Sequence, residues 1–288
     1  MRWQPWQTLL RRAAAAQGFL DPLTLLGQLR QFAQPGEVEH PVELLRAGAV
    51  MHARGLLNAR VIQHNLDWHW PWWVRRQYDP RDAAFTSRGF SLTHINGSWR
   101  SWSAIGLPDV DANPVVDPAG LLTPHWDGWS LDVWAVGDDG AWLVPATVET
   151  RAQRLDMQPG CAVVTRSHLD ATLVLETRAE CVWLDDAPCW TLDCALETRA
   201  GAWLVAALRP FNPEGVSFVS RVALVGDSWQ VNGDTAVRFS ATPSRHAVSC
   251  YGDGDVAARW DDARAWRREV TCAQGMASAA AGVRVAAG

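Results

Sequence analysis

Residues 64–79 read HNLDWHWPWWVRRQYD, with Trp68, Trp70, Trp72 and Trp73 inside six positions. His64, Asn65, Asp67, Arg75, Arg76 and Asp79 bracket them. Flat apolar rings interleaved with hydrogen-bonding side chains suit a pyranose, which has a C–H face and a rim of hydroxyls. In that chemistry Trp70, Trp72, Trp73 and Tyr78 are stacking groups. Asn65, Asp67, Arg75 and His94 supply the polar contacts. The competing role for each ring is ordinary core packing, because large aromatics are the commonest fillers between layers.

Other constellations are weaker. His64, Asp67 and His69 have a spacing that matches no zinc motif, and no metal site is expected. DVDANPVVDPAG starts like a calcium loop with Asp109, Asp111 and Asn113. It then places Pro114 where the loop needs glycine and Gly120 where it needs a bidentate glutamate. Asp127 lies between Trp126 and Trp129 across a Gly, and apolar neighbours could raise its pKa for acid catalysis. Glycosidases need a second carboxylate at a set distance, so Asp127 stands alone as a catalytic candidate. No nucleophile elbow or phosphate loop is present, and YGDGDVAA lacks the third glycine of a dinucleotide fingerprint. No cofactor is expected.

These groups must be positioned by elements of two kinds. Residues 1–63 read as helices: Asp21 caps a run with Pro22 at its first turn and Leu25, Leu26, Leu29 and Phe32 on one face. A second run begins at Pro41 and leads into the tryptophans. Residues 64–140 form a Trp-rich region of loops and strands, with FSLTHI and WSLDVWAV as strand candidates. Over 141–288 the hydrophobic period becomes two, which predicts an antiparallel β-sandwich. Leu192, Cys194 and Leu196 should face one way and Asp193 and Glu197 the other. Asn232-Gly233 between two alternating runs predicts a type I′ hairpin. LETRA occurs at Leu175 and again at Leu196, which points to two similar strands of one sheet. The fold class is therefore mainly β (α+β), a large antiparallel sandwich preceded by N-terminal helices.

Composition narrows the function. The 288 residues carry a net charge of -5, and all 26 basic residues are arginine. Counting formal charges gives about +3 over residues 1–64, -5 over 65–145 and -3 beyond. An acidic aromatic region does not fit nucleic acid, which needs a basic footprint. The nearby aspartates also oppose an anionic membrane surface, and no apolar run is long enough to span a bilayer. The six cysteines have no metal or redox spacing. With no secretory leader legible, a reducing bacterial cytoplasm is expected.

LLRAGAVMHARGLLNARVIQHNLDWHWPWWVRRQYDPRD, FSLTHINGSWRSWSAIGLPD, DGWSLDVW and LRPFNPEGVSFV together resemble bacterial glycogen-debranching, or amylo-alpha-1,6-glucosidase-like, proteins. The resemblance runs over roughly residues 20–280. It implies an N-terminal β-supersandwich, α-glucans or oligosaccharides as ligands, and glycosidase chemistry in an (α/α) barrel that these residues do not reach. The 141–288 sandwich is then expected to be incomplete at its C-terminus, with Ala281–Val285 as an open apolar edge. The downstream barrel or a partner chain would be its neighbour. Two other functions stay open: a structural module whose aromatics pack on a helical partner, and a self-sufficient carbohydrate-active enzyme using Asp127.

Overall fold

The computed structural model describes residues 68–69, 102–110, 112, 114–125, 128–157, 161–170, 172–212, 215–216 and 219–288. The helices expected over 1–63 and the strand FSLTHI lie outside these residues. Eighteen strands are present among them. The first nine are β1 (Ser103–Ala104), β2 (Val115–Val116), β3 (Leu122–Thr123), β4 (Ser130–Gly137), β5 (Trp142–Leu143), β6 (Arg151–Asp156), β7 (Ala162–Leu169), β8 (Leu173–Leu184) and β9 (Ala187–Thr198). Next come β10 (Ala202–Arg209), β11 (Phe211–Asn212), β12 (Gly215–Val216), β13 (Arg221–Val225), β14 (Ser228–Val231) and β15 (Asp234–Arg238). The last are β16 (Arg245–Ser249), β17 (Glu269–Thr271) and β18 (Ser278–Val285). Between β16 and β17 the chain makes three 3-10 turns, Tyr251–Asp253, Ala257–Arg259 and Ala263–Ala265.

The strands are mainly antiparallel and fall into three larger sheets and one short hairpin. The first sheet has the order β1-β2-β3-β4-β10-β18-β16, with β5 joined to β4. The second runs β6-β7-β8-β9 and the third β15-β14-β13-β17. β4 is buried along its whole length, because both faces of the first sheet are covered. On one face Val133, Ala135 and Leu143 meet Leu173 and Leu175 of the second sheet, with Leu192, Cys194 and Leu196 packed around them. On the other face Trp134, Val136, Val205, Ala207, Ala247 and Ala280 meet Val256, Ala257, Trp260 and Ala265 from the 3-10 region. The result is sandwich-like, with the central sheet filling the middle.

The second sheet shows the alternation that its sequence carries. Inward residues of β8 from Leu173 to Cys181 are buried, whereas Arg166, Glu176, Arg178 and Glu180 form an ion-paired outer face. Asp193 and Glu197 of β9 are exposed while Leu192, Cys194 and Leu196 pack inward. The two LETRA runs fall on neighbouring antiparallel strands of one sheet and meet only at their first residues, Leu175 opposite Leu196. Asn232 and Gly233 have φ of 54° and 106° and join Val231 to Asp234, the turn the dipeptide predicts.

One expectation is corrected in part. Over Ala279–Gly282 β18 is not an open edge: Ala281 pairs with Ala206 of β10 on one side and His246 of β16 on the other, whereas Val283–Val285 pair with β10 alone. Five small residues at its start let both neighbours and the tryptophans above approach closely. The sheet also draws on strands upstream of residue 141, since β4 sits beside β10 over eight register pairs.

Candidate functional site

Side chains alternate along β10, so Trp203, Val205, Ala207 and Arg209 share one face. The register with β4 puts Ser130, Asp132, Trp134 and Val136 on the same face. Arg209 therefore ends an apolar strand inside the core, and a buried guanidinium needs a counter-charge and filled hydrogen bonds. Asp255, which follows Gly254 with its φ of 88°, supplies the counter-charge and accepts from both terminal nitrogens, while Nε is buried without a partner. Arg209 Nη1 donates to Asp255 Oδ1 at 2.7 Å and Nη2 to Oδ2 at 2.6 Å. The backbone N–H groups of Ala257 and His69 also donate to this carboxylate, at 3.1 and 2.7 Å.

The same guanidinium lies over Trp68, Trp134 and Phe211, at 5.6, 5.2 and 5.2 Å from the ring centroids. Arg209 Nη2 reaches the His69 carbonyl at 3.5 Å. The His69 ring stacks on Trp142 and meets Trp134 edge-on. Thus Trp68 and His69, the first two residues of the WHWPWW cluster, are pinned to the central sheet. Trp68 is a core residue, which is the packing role weighed against stacking for every ring in that stretch.

Asp132 sits beside this centre, and a further buried carboxyl, Asp117, feels the charge of Asp132. Burial pushes Asp132 up to about 6, against the pull of the Trp134 indole N–H at 2.8 Å and the Arg209 charge. Burial likewise pushes Asp117 up to about 6, although its Oδ1 accepts the N–H groups of Ala119 and Leu121. Asp255 responds differently: burial alone would raise it, but the charge and hydrogen bonds of Arg209 bring it below the usual range. Asp117 and Asp132 are near 5% exposed, so in this conformation neither meets a solvent-borne substrate. Their arrangement fits a structural polar centre better than an acid–base pair.

His246 is also enclosed. His246 Nε2 accepts the Trp229 indole N–H at 2.9 Å and its Nδ1 faces the Arg267 carbonyl at 2.6 Å, a neutral ring bonded at both nitrogens. Burial drives its pKa down to about 4. All six cysteines are free thiols, and burial pushes Cys194 up to about 12, far from a nucleophile. Among the described residues no group of three His, Cys, Asp or Glu could hold a metal ion, and no helix is long and apolar enough to cross a membrane.

Of the sequence-predicted positions, Asn65, Asp67, Trp70, Trp72, Trp73, Arg75, Tyr78, His94 and Asp127 lie outside the described residues. Among the described residues flanking that position, Gly128 N–H donates to the His125 carbonyl at 2.7 Å, and Asn212 Nδ2 donates to the Gly128 carbonyl at 2.8 Å. The sequence reading missed Arg209, Asp255 and Asp132. Arg209 carried a usable signal, a lone charge closing the apolar run AWLVAALR. Asp255 did not, because nothing in YGDGDVAA shows that its partner lies 46 residues upstream. Comparison with family models, with curated proteins and with solved structures finds no match to this chain.

Proposed function

We propose that the chain is a non-catalytic, carbohydrate-associated portion of a glycosidase-like protein acting on α-glucans. Its finer fold would be a supersandwich preceded by helices. It would work in a bacterial cytoplasm beside an (α/α) barrel supplied downstream or by a partner chain. One observation carries this reading. Trp68 and His69 are fixed to a buried ion pair, which anchors the chain at the start of the WHWPWW stretch. Stacking on a sugar needs rings whose positions are set in advance, since ordering them on binding costs affinity.

The test is a titration of the whole chain with maltoheptaose at millimolar concentrations, followed by tryptophan fluorescence and calorimetry. Binding should be weak, and Trp72→Ala should lose about 1–3 kcal/mol if stacking on a sugar resembles stacking on a base. Absence of heat and of a fluorescence change would remove the proposal. So would wild-type affinity in Trp72→Ala, Trp70→Ala and Trp73→Ala.

A second reading, an interaction module for a partner domain, has its own observation. Leu155, Trp183 and Leu184 of the second sheet, and Met157 just after β6, are exposed large apolar residues. Leu155 and Trp183 share the inward face of that sheet by register, at an end the first sheet does not cover. Exposed apolar side chains on one face of a sheet are the kind of surface that interaction sites use.

A further inference from the structure

Cys250 follows β16 of the first sheet, and Cys272 follows β17 of the third. Ser249 at the end of β16 pairs with Ser278 at the start of β18, so Tyr251 and Met276 stand just beyond the last paired residues. The Cys272 sulfur sits between them. It accepts the Tyr251 N–H and the Met276 N–H, each at 3.4 Å. Its own S–H points to Gln274 Oε1 at 3.6 Å. The turn from Cys272 to Gly275, closed by the Gly275 N–H and by a Gly275 φ of 73°, brings the chain back to the strand ends.

This contact puts Cys250 beside Cys272. A trans peptide holds its N–H on the same side as the preceding Cα, so the Cys272 sulfur stands roughly 4 Å from the Cys250 Cα. A cysteine sulfur lies about 2.8 Å from its own Cα, which keeps the two Cα atoms within the span of about 7 Å that a disulfide can bridge. The Cys250 sulfur is turned to Asp253 Oδ2 at 3.2 Å, and rotation about its Cα–Cβ bond is the movement that takes it to Cys272. Cys250 is partly exposed, whereas Cys272 is buried. One thiol is open to a small reagent and the other is enclosed behind it.

We propose that Cys250 and Cys272 are a dithiol–disulfide pair, whose oxidation by a small disulfide such as oxidised glutathione staples the first sheet to the third. Cys250 loses its proton and attacks one sulfur of the reagent, whose S–S bond breaks and releases a glutathione thiolate. Cys272 then loses its proton and attacks the Cys250 sulfur, which breaks the mixed disulfide and releases the second thiolate. The two thiolates take up the two protons, so two electrons and two protons pass from protein to reagent. The Tyr251 and Met276 N–H groups are aimed at the sulfur that carries charge in the second step. In a reducing compartment the pair rests open as free thiols, and it closes when the surroundings become oxidising.

The experiment equilibrates the whole folded chain with mixtures of reduced and oxidised glutathione, quenches with acid, alkylates the remaining thiols and digests with trypsin without reductant. Cleavage after arginine puts Cys250 on residues 246–259 and Cys272 on residues 269–284, each the lone cysteine of its peptide. At the oxidising end most of the protein should yield these two peptides joined, lighter than their sum by two hydrogen atoms. Dithiothreitol should separate them. The joined peptide should vanish in Cys250→Ser, a partly exposed position whose change leaves Cys272 in place. In Cys272→Ser, Cys250 should instead accumulate bound to glutathione. The joined form should also melt above the reduced form, because the link constrains the unfolded chain. The proposal is overturned if wild-type Cys250 keeps its glutathione while Cys272 stays a thiol, or if Cys161 or Cys181 takes the bond instead. It is equally overturned if the link forms only in urea, or if the joined and reduced forms melt together.

Discussion

Arg209 grips Asp255 at both carboxylate oxygens, at 2.7 and 2.6 Å, and neither side chain meets solvent. The pair joins the end of β10 to the loop after β16 and holds Trp68 and His69 against both. Removing one partner leaves an uncompensated buried charge. Asp255→Ala should therefore destabilise the protein by about 3–5 kcal/mol in urea unfolding at pH 7. Replacing both residues with apolar side chains of similar volume should cost much less, because the desolvation penalty goes with the charges. A double variant as unstable as Asp255→Ala would show that the pair itself contributes the stability.

Asp117 gives a pH prediction with a definite sign. Its folded pKa of about 6 lies above its ordinary value, so the folded state binds the proton more tightly than the unfolded one. Its contribution to stability is full below pH 4 and is lost as pH rises through 6. Two pKa units correspond to roughly 3 kcal/mol. Asn keeps an acceptor for the Ala119 and Leu121 N–H groups and cannot ionise. Asp117→Asn should melt above wild type at pH 8 and close to it at pH 4. His246 acts in the opposite direction, with a folded pKa of about 4 that removes stability as pH falls below 6.5. Comparing the two proteins at each pH cancels that term. Equal melting at pH 8 would mean that the buried carboxylate carries no such penalty.

Gly282 tests the packing of two tryptophan rings. A methyl group there meets Trp260 and Trp203 inside normal contact distance, and both rings are wedged between neighbours. Gly282→Ala should cost about 1–3 kcal/mol as overpacking and change near-ultraviolet tryptophan circular dichroism. An unchanged spectrum with unchanged stability would mean that the rings have room to yield.

What could be read along the chain was local. Asn232-Gly233 specifies its turn because positive φ at two successive positions is a property of those residues alone. The inward set Leu192, Cys194 and Leu196 was legible because β9 has solvent on one side, so its alternation survives in the sequence. β4 and β18 kept no such record. SLDVWAVG and SAAAGVRV are covered on both faces for most of their length, and a strand buried twice has no polar side to mark its orientation. Tertiary structure alone decided that β4, β10, β18 and β16 are neighbours, although they start at residues 130, 202, 278 and 245. It alone brought Asp255 to Arg209 and the Cys272 sulfur to the Tyr251 N–H. Pairing across such distances depends on which surfaces fit when the sheets close, and no residue carries that information by itself.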